Sequence, residues 1–232
     1  MKKILAITAL CLALFTANAQ VDSFRVPLAN KKTLKIVPKD RIVLDFLGTN
    51  WMHHESGFKT RWYSRGFNAY FMYDFRIKKS RVSFAPGIGV GCVNVYTNSQ
   101  LTDSSGSGAK FTPLANYSNY KVNKVSLTYI DIPLELRIRT NRDKLDQCWK
   151  FNVGFKVGIR VDAHTKQVTK TPNENIKLRP FPDFNLFRMG PTLRIGYSSF
   201  NLTAYYGVLG VFKNGRGPDM HEFAVGISFN GL

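Results

Sequence analysis

Histidines beside acidic residues are the first candidates for chemistry in this chain. The sequence places His53, His54 and Glu55 together and sets His221 beside Glu222 near the C-terminus. Imidazole and carboxylate groups can act as a general base or bind a metal when a fold brings them together. No serine stands at a spacing that would complete a catalytic set. We therefore predict no enzyme, no cofactor and no metal.

Charged residues set singly within apolar segments form a second group of candidates. On a β-strand such residues share one face, because side chains alternate with a period of two. Charges removed from water are costly unless they are paired. We predict a lumen ion-pair network in which acids of the earlier strands and the last strand pair with bases of the fourth to sixth. Its members are Asp45, Asp74, Arg76, Asp131, Glu135, Arg137, Lys150, Lys156, Arg160, Arg188, Arg194 and Glu222.

The elements that would position these charges are strands with a regular alternation of apolar and polar residues. The clearest is WKFNVGFKVGIRVD, in which Trp149, Phe151 and every second residue after them are apolar. The same period appears in RIVLDFLGTN, GFNAYFMYDFRI, RVSFAPGIGVGCV, SLTYIDIPLELRIR, FRMGPTLRIGY, FNLTAYYGV and EFAVGISF. Along the chain, short connections between these strands alternate with long ones. This layout predicts an eight-stranded antiparallel up-and-down β-barrel with short periplasmic turns and longer external loops.

The size of the apolar side chains indicates which face of the strands points outward. An eight-stranded barrel is only just wide enough for its inner side chains, so roughly forty large apolar groups cannot fit inside it. Glycines such as Gly87, Gly154 and Gly190 occupy the opposite face and suit a narrow lumen. An outward apolar face with no second sheet to cover it predicts contact with lipid, and therefore an all-β transmembrane fold. The alternative is a soluble β-sandwich, which would bury the same faces against each other.

The N-terminus indicates export. A basic start, MKK, precedes the apolar run ILAITALCLALF and the small residues Ala17 and Ala19, the pattern of a secretory signal peptide. A membrane anchor would need roughly 20 apolar residues. We predict a signal peptide over 1–19, a periplasmic lead-in over 20–39, and an outer-membrane barrel domain over 40–232. The predicted location is the bacterial outer membrane.

The charge balance is strongly basic, with 33 Lys and Arg against 15 Asp and Glu. An exported chain rarely meets nucleic acid, and no nucleic-acid-binding motif is present, so we predict no such partner. Cations in the outer loops would attract the phosphates of lipopolysaccharide, or would form only a charged, soluble loop surface. The predicted lipopolysaccharide contacts are Lys59, Arg61, Lys121, Lys166, Arg179 and Arg216.

Aromatic residues near the strand ends predict two girdles at the membrane surfaces. We place Phe75, Trp149, Tyr197, Phe200 and Phe229 in the inner girdle, and Phe67 and Tyr206 toward the outer one. The alternative is that these are ordinary strand aromatics.

The segment LTYIDIPLELRIR resembles the fourth-strand motif of the PorT-like small outer-membrane β-barrels, and FAPGIGVG resembles their glycine-rich third strand. The resemblance covers nearly all of the mature chain and implies a barrel rather than an activity. The family's best-known member is implicated in type IX secretion, so the resemblance also implies an accessory role in an outer-membrane secretion or assembly complex.

We therefore predict an integral outer-membrane barrel with a plugged polar lumen and cationic external loops, in a structural or binding role. Its expected partners are outer-membrane lipids and lipopolysaccharide, with other envelope proteins as further candidates. It would act as a monomer or as a subunit of a larger complex. The alternative is the secretion or assembly subunit. The minor alternative is a barrel enzyme that modifies lipid A or cleaves proteins, as omptin-like proteases do.

Overall fold

The computed structural model of the protein describes residues 41–53, 57–77, 80–104, 108–141, 147–179 and 182–231. The predicted signal peptide and the lead-in over 20–39 lie outside the described residues. A 3-10 turn lies at Tyr117–Asn119. No helix in the described part of the chain is long and apolar enough to cross a membrane.

Eight long strands form the wall of the molecule. They are β1 (Ile42–Met52), β2 (Arg65–Met72) with its short continuation β3 (Phe75–Arg76), β4 (Val82–Tyr96), β7 (Tyr120–Arg139), β8 (Trp149–Thr169), β10 (Phe187–Tyr197), β11 (Phe200–Gly210) and β12 (His221–Asn230). Three short strands belong to the connections: β5 (Ser99–Ser104), β6 (Gly108–Pro113) and β9 (Asn175–Leu178).

Every neighbouring pair in the wall is antiparallel, and the wall closes on itself because β1 pairs with the last strand β12 and β8 pairs with β10. The order around the ring is β1, β2, β4, β7, β8, β10, β11 and β12. Short turns and both ends of the barrel chain lie at one end, here called the lower end. The longer connections lie at the upper end. The predicted eight-stranded up-and-down barrel is confirmed.

The strand predicted over Gly66–Ile77 is interrupted, since β2 ends at Met72 and β3 begins at Phe75. Pro86 on β4 stands opposite the gap and accepts a hydrogen bond from the Tyr73 amide at 2.8 Å. Because proline has no N–H to return a bond, the ladder breaks there. The alternation of faces persists through the gap, and Asp74 is buried while Tyr73 is exposed.

Apolar side chains cover the outer face of the barrel. On β7 and β8 every second residue from Ile130 to Ile138 and from Trp149 to Phe155 is exposed and apolar. Phe200 is 63% and Leu202 is 69% exposed. A continuous apolar belt of this kind is a surface that soluble monomers avoid. The inner face carries mainly small and polar residues in the lower part, together with an apolar group that includes Val43 and Met72, and an apolar cluster in the upper part.

The strands β7 and β8 are longer than the others, at 20 and 21 residues, and continue beyond the apolar belt at the upper end. A register shift between Thr128 and Tyr129 marks the point where they leave it. Above this point β8 also pairs with β9. The hairpin β5–β6 lies in the connection between β4 and β7.

Candidate functional site

Charged side chains in the lower and middle part of the interior contact one another across the barrel; we call them the lower network. Arg188 on β10 is central. Its Nε and Nη2 atoms donate to the two carboxylate oxygens of Asp131 on β7 at 2.9 and 2.6 Å, and its Nη1 lies 3.4 Å from Glu222 on β12. The paired geometry matches the planar guanidinium to the carboxylate. Tyr70 on β2 donates a further hydrogen bond to Asp131 at 3.1 Å.

A second part of the lower network runs from β1 to the lower rim. Arg194 on β10 contacts Asp45 at 2.8 Å and also pairs with Glu135 on β7. Glu135 accepts a bond from Arg137 at 3.1 Å, and Arg137 in turn lies 3.4 Å from Asp74. Charges on β1, on the segment between β2 and β3, on β7 and on β10 are therefore joined in one chain of contacts.

Two glycines make room for the central ion pair. A Cβ atom at Gly91 on β4 would lie 2.6 Å from the Asp131 carboxylate and closer still to the Arg188 guanidinium. A Cβ atom at Gly158 on β8 would overlap the other Asp131 oxygen and lie 3.0 Å from Arg188 Cγ. The inward glycines thus provide the space that a bulky guanidinium needs inside a narrow barrel.

Two of the predicted network members, Arg160 and Lys156, make contacts other than the expected carboxylate pairs. Arg160 donates to the backbone carbonyls of Asn185 and Phe184 at 3.0 and 3.2 Å, because it lies high on β8 beside that loop. The Lys156 ammonium lies 3.7 Å above the ring of Tyr205. Lys150 is buried at the lower end, and Arg76 is half-buried opposite Ser83 at the lower rim.

One network member escaped the sequence analysis. Arg139 lies on β7 two residues after Arg137, on the same inward face, and pairs with Asp74 while donating to Ser83 Oγ at 2.8 Å. The continuing alternation of Glu135, Arg137 and Arg139 could have identified it.

The upper part of the interior contains an apolar cluster, which the sequence analysis did not predict, and buried polar residues such as Asn123 and Gln167. Trp51 on β1 is buried, and the rings of four phenylalanines lie around it; we call these five residues the aromatic cluster. The centroids of Phe58, Phe111, Phe184 and Phe212 lie 6.1 to 6.5 Å from that of Trp51. Aliphatic residues of β4 and β7 line the wall around the cluster, namely Val93, Val95, Val125 and Leu127.

The phenylalanines of the aromatic cluster come from the upper connections, which hydrogen bonds fasten to one another. The Asn185 side chain donates to the carbonyls of Gly210 and Phe212 at 2.8 and 3.1 Å. Arg216 contacts the buried carboxylate of Asp183 at 2.8 Å, and its carbonyl accepts a bond from Ala109 on β6 at 2.9 Å. Sequence analysis missed this arrangement because the four phenylalanines lie in segments with no period.

The predicted girdle residues lie on the outer face. At the lower end Trp149 contacts Tyr197 with ring centroids 5.7 Å apart, and Phe200 contacts Phe229 at 4.9 Å. Phe75 stacks on Tyr73 nearby. Higher up, Phe67 packs on Phe46 and Tyr206 stacks on His221. The loop residue Trp62, which the sequence analysis did not select, is 93% exposed at the upper end.

The six predicted lipopolysaccharide contacts lie at the upper end but differ in their neighbours. Arg216 and Arg179 are engaged by carboxylates, since Arg179 lies 3.0 Å from Asp162. Arg61 covers the ring of Tyr117 at 4.2 Å. Burial, together with a hydrogen bond to Tyr117, raises the pKa of the nearby Tyr63 hydroxyl, which stays neutral. Lys59 and Lys121 are exposed, and Lys166 is half-buried on β8.

The structure brings together only some residues of the two histidine groups that the sequence analysis selected. The rings of His53 and His221 are 5.7 Å apart where β1 and β12 adjoin, but Glu222 points inward to Arg188. His54 and Glu55 lie outside the described residues. His221 contacts the Gly207 carbonyl and Asp219, and His164 contacts Asp162. No group of three or more metal-binding side chains occurs among the residues that the structure describes.

A closed barrel with an apolar outer belt and inward charges defines an integral outer-membrane β-barrel. The family model described as outer membrane protein beta-barrel domain matches residues 47–213, and the chain belongs to this family. The match confirms the predicted membership of an outer-membrane β-barrel family and the predicted location in the outer membrane. No curated protein matches the sequence.

Among solved structures, the chain is similar to Ail, the attachment invasion locus protein of Yersinia pestis, in a complex with the heparin analogue sucrose octasulfate. The TM-score is 0.33 at 10% sequence identity, over 83% of this chain and 97% of Ail.

Proposed function

We propose that the protein is a non-conducting, non-catalytic barrel that anchors in the outer membrane and binds lipopolysaccharide with its cationic upper end. The observation that carries the proposal is the continuous set of contacts inside the barrel. The lower network links opposite walls through Arg188 and Arg194, and the aromatic cluster follows directly above. The guanidinium of Arg188 covers the ring of Tyr129 at 4.0 Å and so joins the two layers.

The side chains of the lower network and the aromatic cluster, which fill the interior, support a plugged lumen. Eight strands leave an interior that side chains alone can fill, and here the large groups Arg137, Glu135 and Trp51 are almost wholly buried in it. A water-filled path through the lumen could form only if the ion pairs of the lower network and the rings of the aromatic cluster moved apart. The lumen therefore acts as the stable centre of an anchor and carries no solute.

The binding role rests on the charge of the upper end. Lys59 and Lys121 are exposed there, and Arg61 is held by Tyr117 rather than by an acid. Each cation near an anionic membrane surface contributes about 1 kcal/mol of attraction. Phosphates of lipopolysaccharide surround the upper end of any barrel in the outer leaflet, so they are the polyanion that these cations meet first.

A non-catalytic role agrees with the neighbours of the histidines. The described contacts of His164 and His221 are carboxylates, the Arg179 guanidinium, a backbone carbonyl and aromatic rings, and none includes a serine hydroxyl. A general base needs a nucleophile or a water that it can reach together with substrate. Three charged residues of the motif LTYIDIPLELRIR make their contacts inside the barrel, since Asp131, Glu135 and Arg137 belong to the lower network. The inward polar residues of that motif are thus accounted for by contacts inside the barrel, without a secretion partner.

Planar-bilayer recording tests the closed lumen directly. The purified, folded barrel should give no stable conductance steps above the lipid background. Steps that scale with the number of inserted barrels would overturn the closed lumen. Affinity capture from outer membranes in mild detergent tests the anchoring role, because a single heat-modifiable monomer is expected. A stoichiometric partner protein would instead favour the secretion or assembly subunit.

A further inference from the structure

A row of cations crosses the outer face of the sheet above the apolar belt. Lys124 on β7 stands directly opposite Lys166 on β8, and Lys166 stands opposite Lys177 on β9. Tyr96 on β4 is the partner of Lys124 on its other side. Directly opposed side chains in an antiparallel pair have Cβ atoms about 5 Å apart and share a face. The three lysines are therefore immediate neighbours.

Such a row costs free energy unless an anion compensates it, because like charges directly opposite each other destabilise a sheet. Among the described residues, no carboxylate lies within ion-pair distance of Lys124, Lys166 or Lys177. Asp162, four residues before Lys166 on the same face, is already engaged by Arg179 at 3.0 Å and by His164 at 2.7 Å. None of the described carboxylates therefore neutralises the row at ion-pair distance, and the row can accept an external anion.

The row continues into a lateral groove of about 600 Å³. Lys124 and Arg65 flank the ring of Tyr96, with their charged groups 5.7 and 5.9 Å from its centroid. Lys124 Nζ donates to Asn94 Oδ1 at 2.7 Å, and Arg65 Nη2 to the Tyr96 hydroxyl at 3.4 Å. These neutral partners hold the two cations in place without cancelling their charge.

The floor of the groove is apolar and belongs to the outer belt. Phe46 and Phe67 line it, with ring centroids 5.2 Å apart. Arg65 precedes Phe67 by two residues on the same face, a distance of roughly 7 Å along the strand. The groove thus places positive charge immediately above lipid-facing rings, where the headgroup of an outer-leaflet lipid meets its acyl chains.

We propose that this groove and row bind one phosphorylated glycolipid of the outer leaflet. The lipid phosphates contact Arg65, Lys124 and Lys166, and the first part of an acyl chain packs on Phe46 and Phe67. A soluble polyanion would use the cations alone and leave the apolar floor uncovered. The inference rests on the proposed binding role of the barrel and defines where on the upper end that binding takes place.

The test compares two charge-matched variants of the full barrel. Lys124→Gln with Lys166→Gln removes two cations of the row, whereas Lys110→Gln with Lys213→Gln removes two exposed cations of the connections that belong neither to the row nor to the groove. Fluorescent bisphosphorylated lipid A in detergent micelles is titrated with each folded barrel. The row variant should bind at least about 10-fold more weakly, and the control variant should stay within about twofold of the parent.

Each other outcome has a distinct meaning. Equal weakening by both variants would overturn the site and leave a general cationic surface, so that the proposed binding role would stand. No binding by the parent barrel would overturn both. Equally tight binding of inorganic pyrophosphate would overturn the lipid assignment. The heat-dependent electrophoretic shift of each variant verifies that it has folded, and Lys124→Arg with Lys166→Arg should restore binding if folding is impaired in the glutamine variant.

Discussion

The lower network and the aromatic cluster fill the same barrel by opposite means. In the lower part, charged side chains on regular strands pair across the interior, as Arg188 does with Asp131. In the upper part, Trp51 on a strand is enclosed by phenylalanines that are mostly supplied by connections. Ion pairs inside a barrel contribute little net stability, yet each depends on both partners being present. Apolar packing is less specific, and its loss scales with the volume removed.

The largest effect is expected where a single cation compensates two acids. Arg188→Met would leave Asp131 and Glu222 buried without their guanidinium, and we expect it to lower the free energy of unfolding by about 3–5 kcal/mol. Urea titration in phospholipid vesicles, followed by the electrophoretic shift between folded and unfolded barrel, measures the change. Adding Asp131→Asn and Glu222→Gln should recover most of the loss. A single variant as stable as the parent would show that the lower network does not depend on Arg188.

A smaller effect is expected for the aromatic cluster. Trp51→Leu keeps an apolar side chain but removes ring contacts with four phenylalanines, and we expect a loss of about 2 kcal/mol. The upper connections should also become sensitive to protease while the wall stays intact. Trp149→Leu is the matched control, because that tryptophan is 52% exposed on the outer face. Unchanged proteolysis of the connections in Trp51→Leu would mean that their hydrogen bonds alone hold them.

The smallest effect is expected for an ion pair outside the interior. The Arg179 side chain is 52% exposed where it contacts Asp162, so solvent screens the pair. Arg179→Gln should change the free energy of unfolding by less than about 0.5 kcal/mol in the same titration. A loss comparable to that of Arg188→Met would contradict the difference between buried and exposed pairs on which the comparison depends.

The alternation of residues predicted most of the fold because lipid and a narrow interior impose opposite demands on the two faces of each strand. It placed Asp131 and Arg188 inward, but it could not pair them, since they lie 57 residues apart and meet through the register of β7, β8 and β10. The interruption after Met72 depends on Pro86 in the neighbouring strand, which a single strand's pattern does not reveal.

The aromatic cluster had a partial signal in the sequence. Val93 and Val95 continue the inward set of Gly87, Gly89 and Gly91, which indicates an apolar upper interior on β4. Phe184 and Phe212 gave no such signal, because residues in irregular connections have no fixed face. Lys124, Lys166 and Lys177 likewise appear as scattered charges until pairing between strands sets them side by side.

The sequence by itself predicted a barrel with its apolar residues outward, because an eight-stranded barrel has too little room inside for roughly forty large apolar groups. Tertiary structure alone decided which charge meets which, that phenylalanines of the connections pack around Trp51, and that cations form a row above the belt. These features depend on strand register and on where the connections return, and both are set by contacts between residues far apart in the chain.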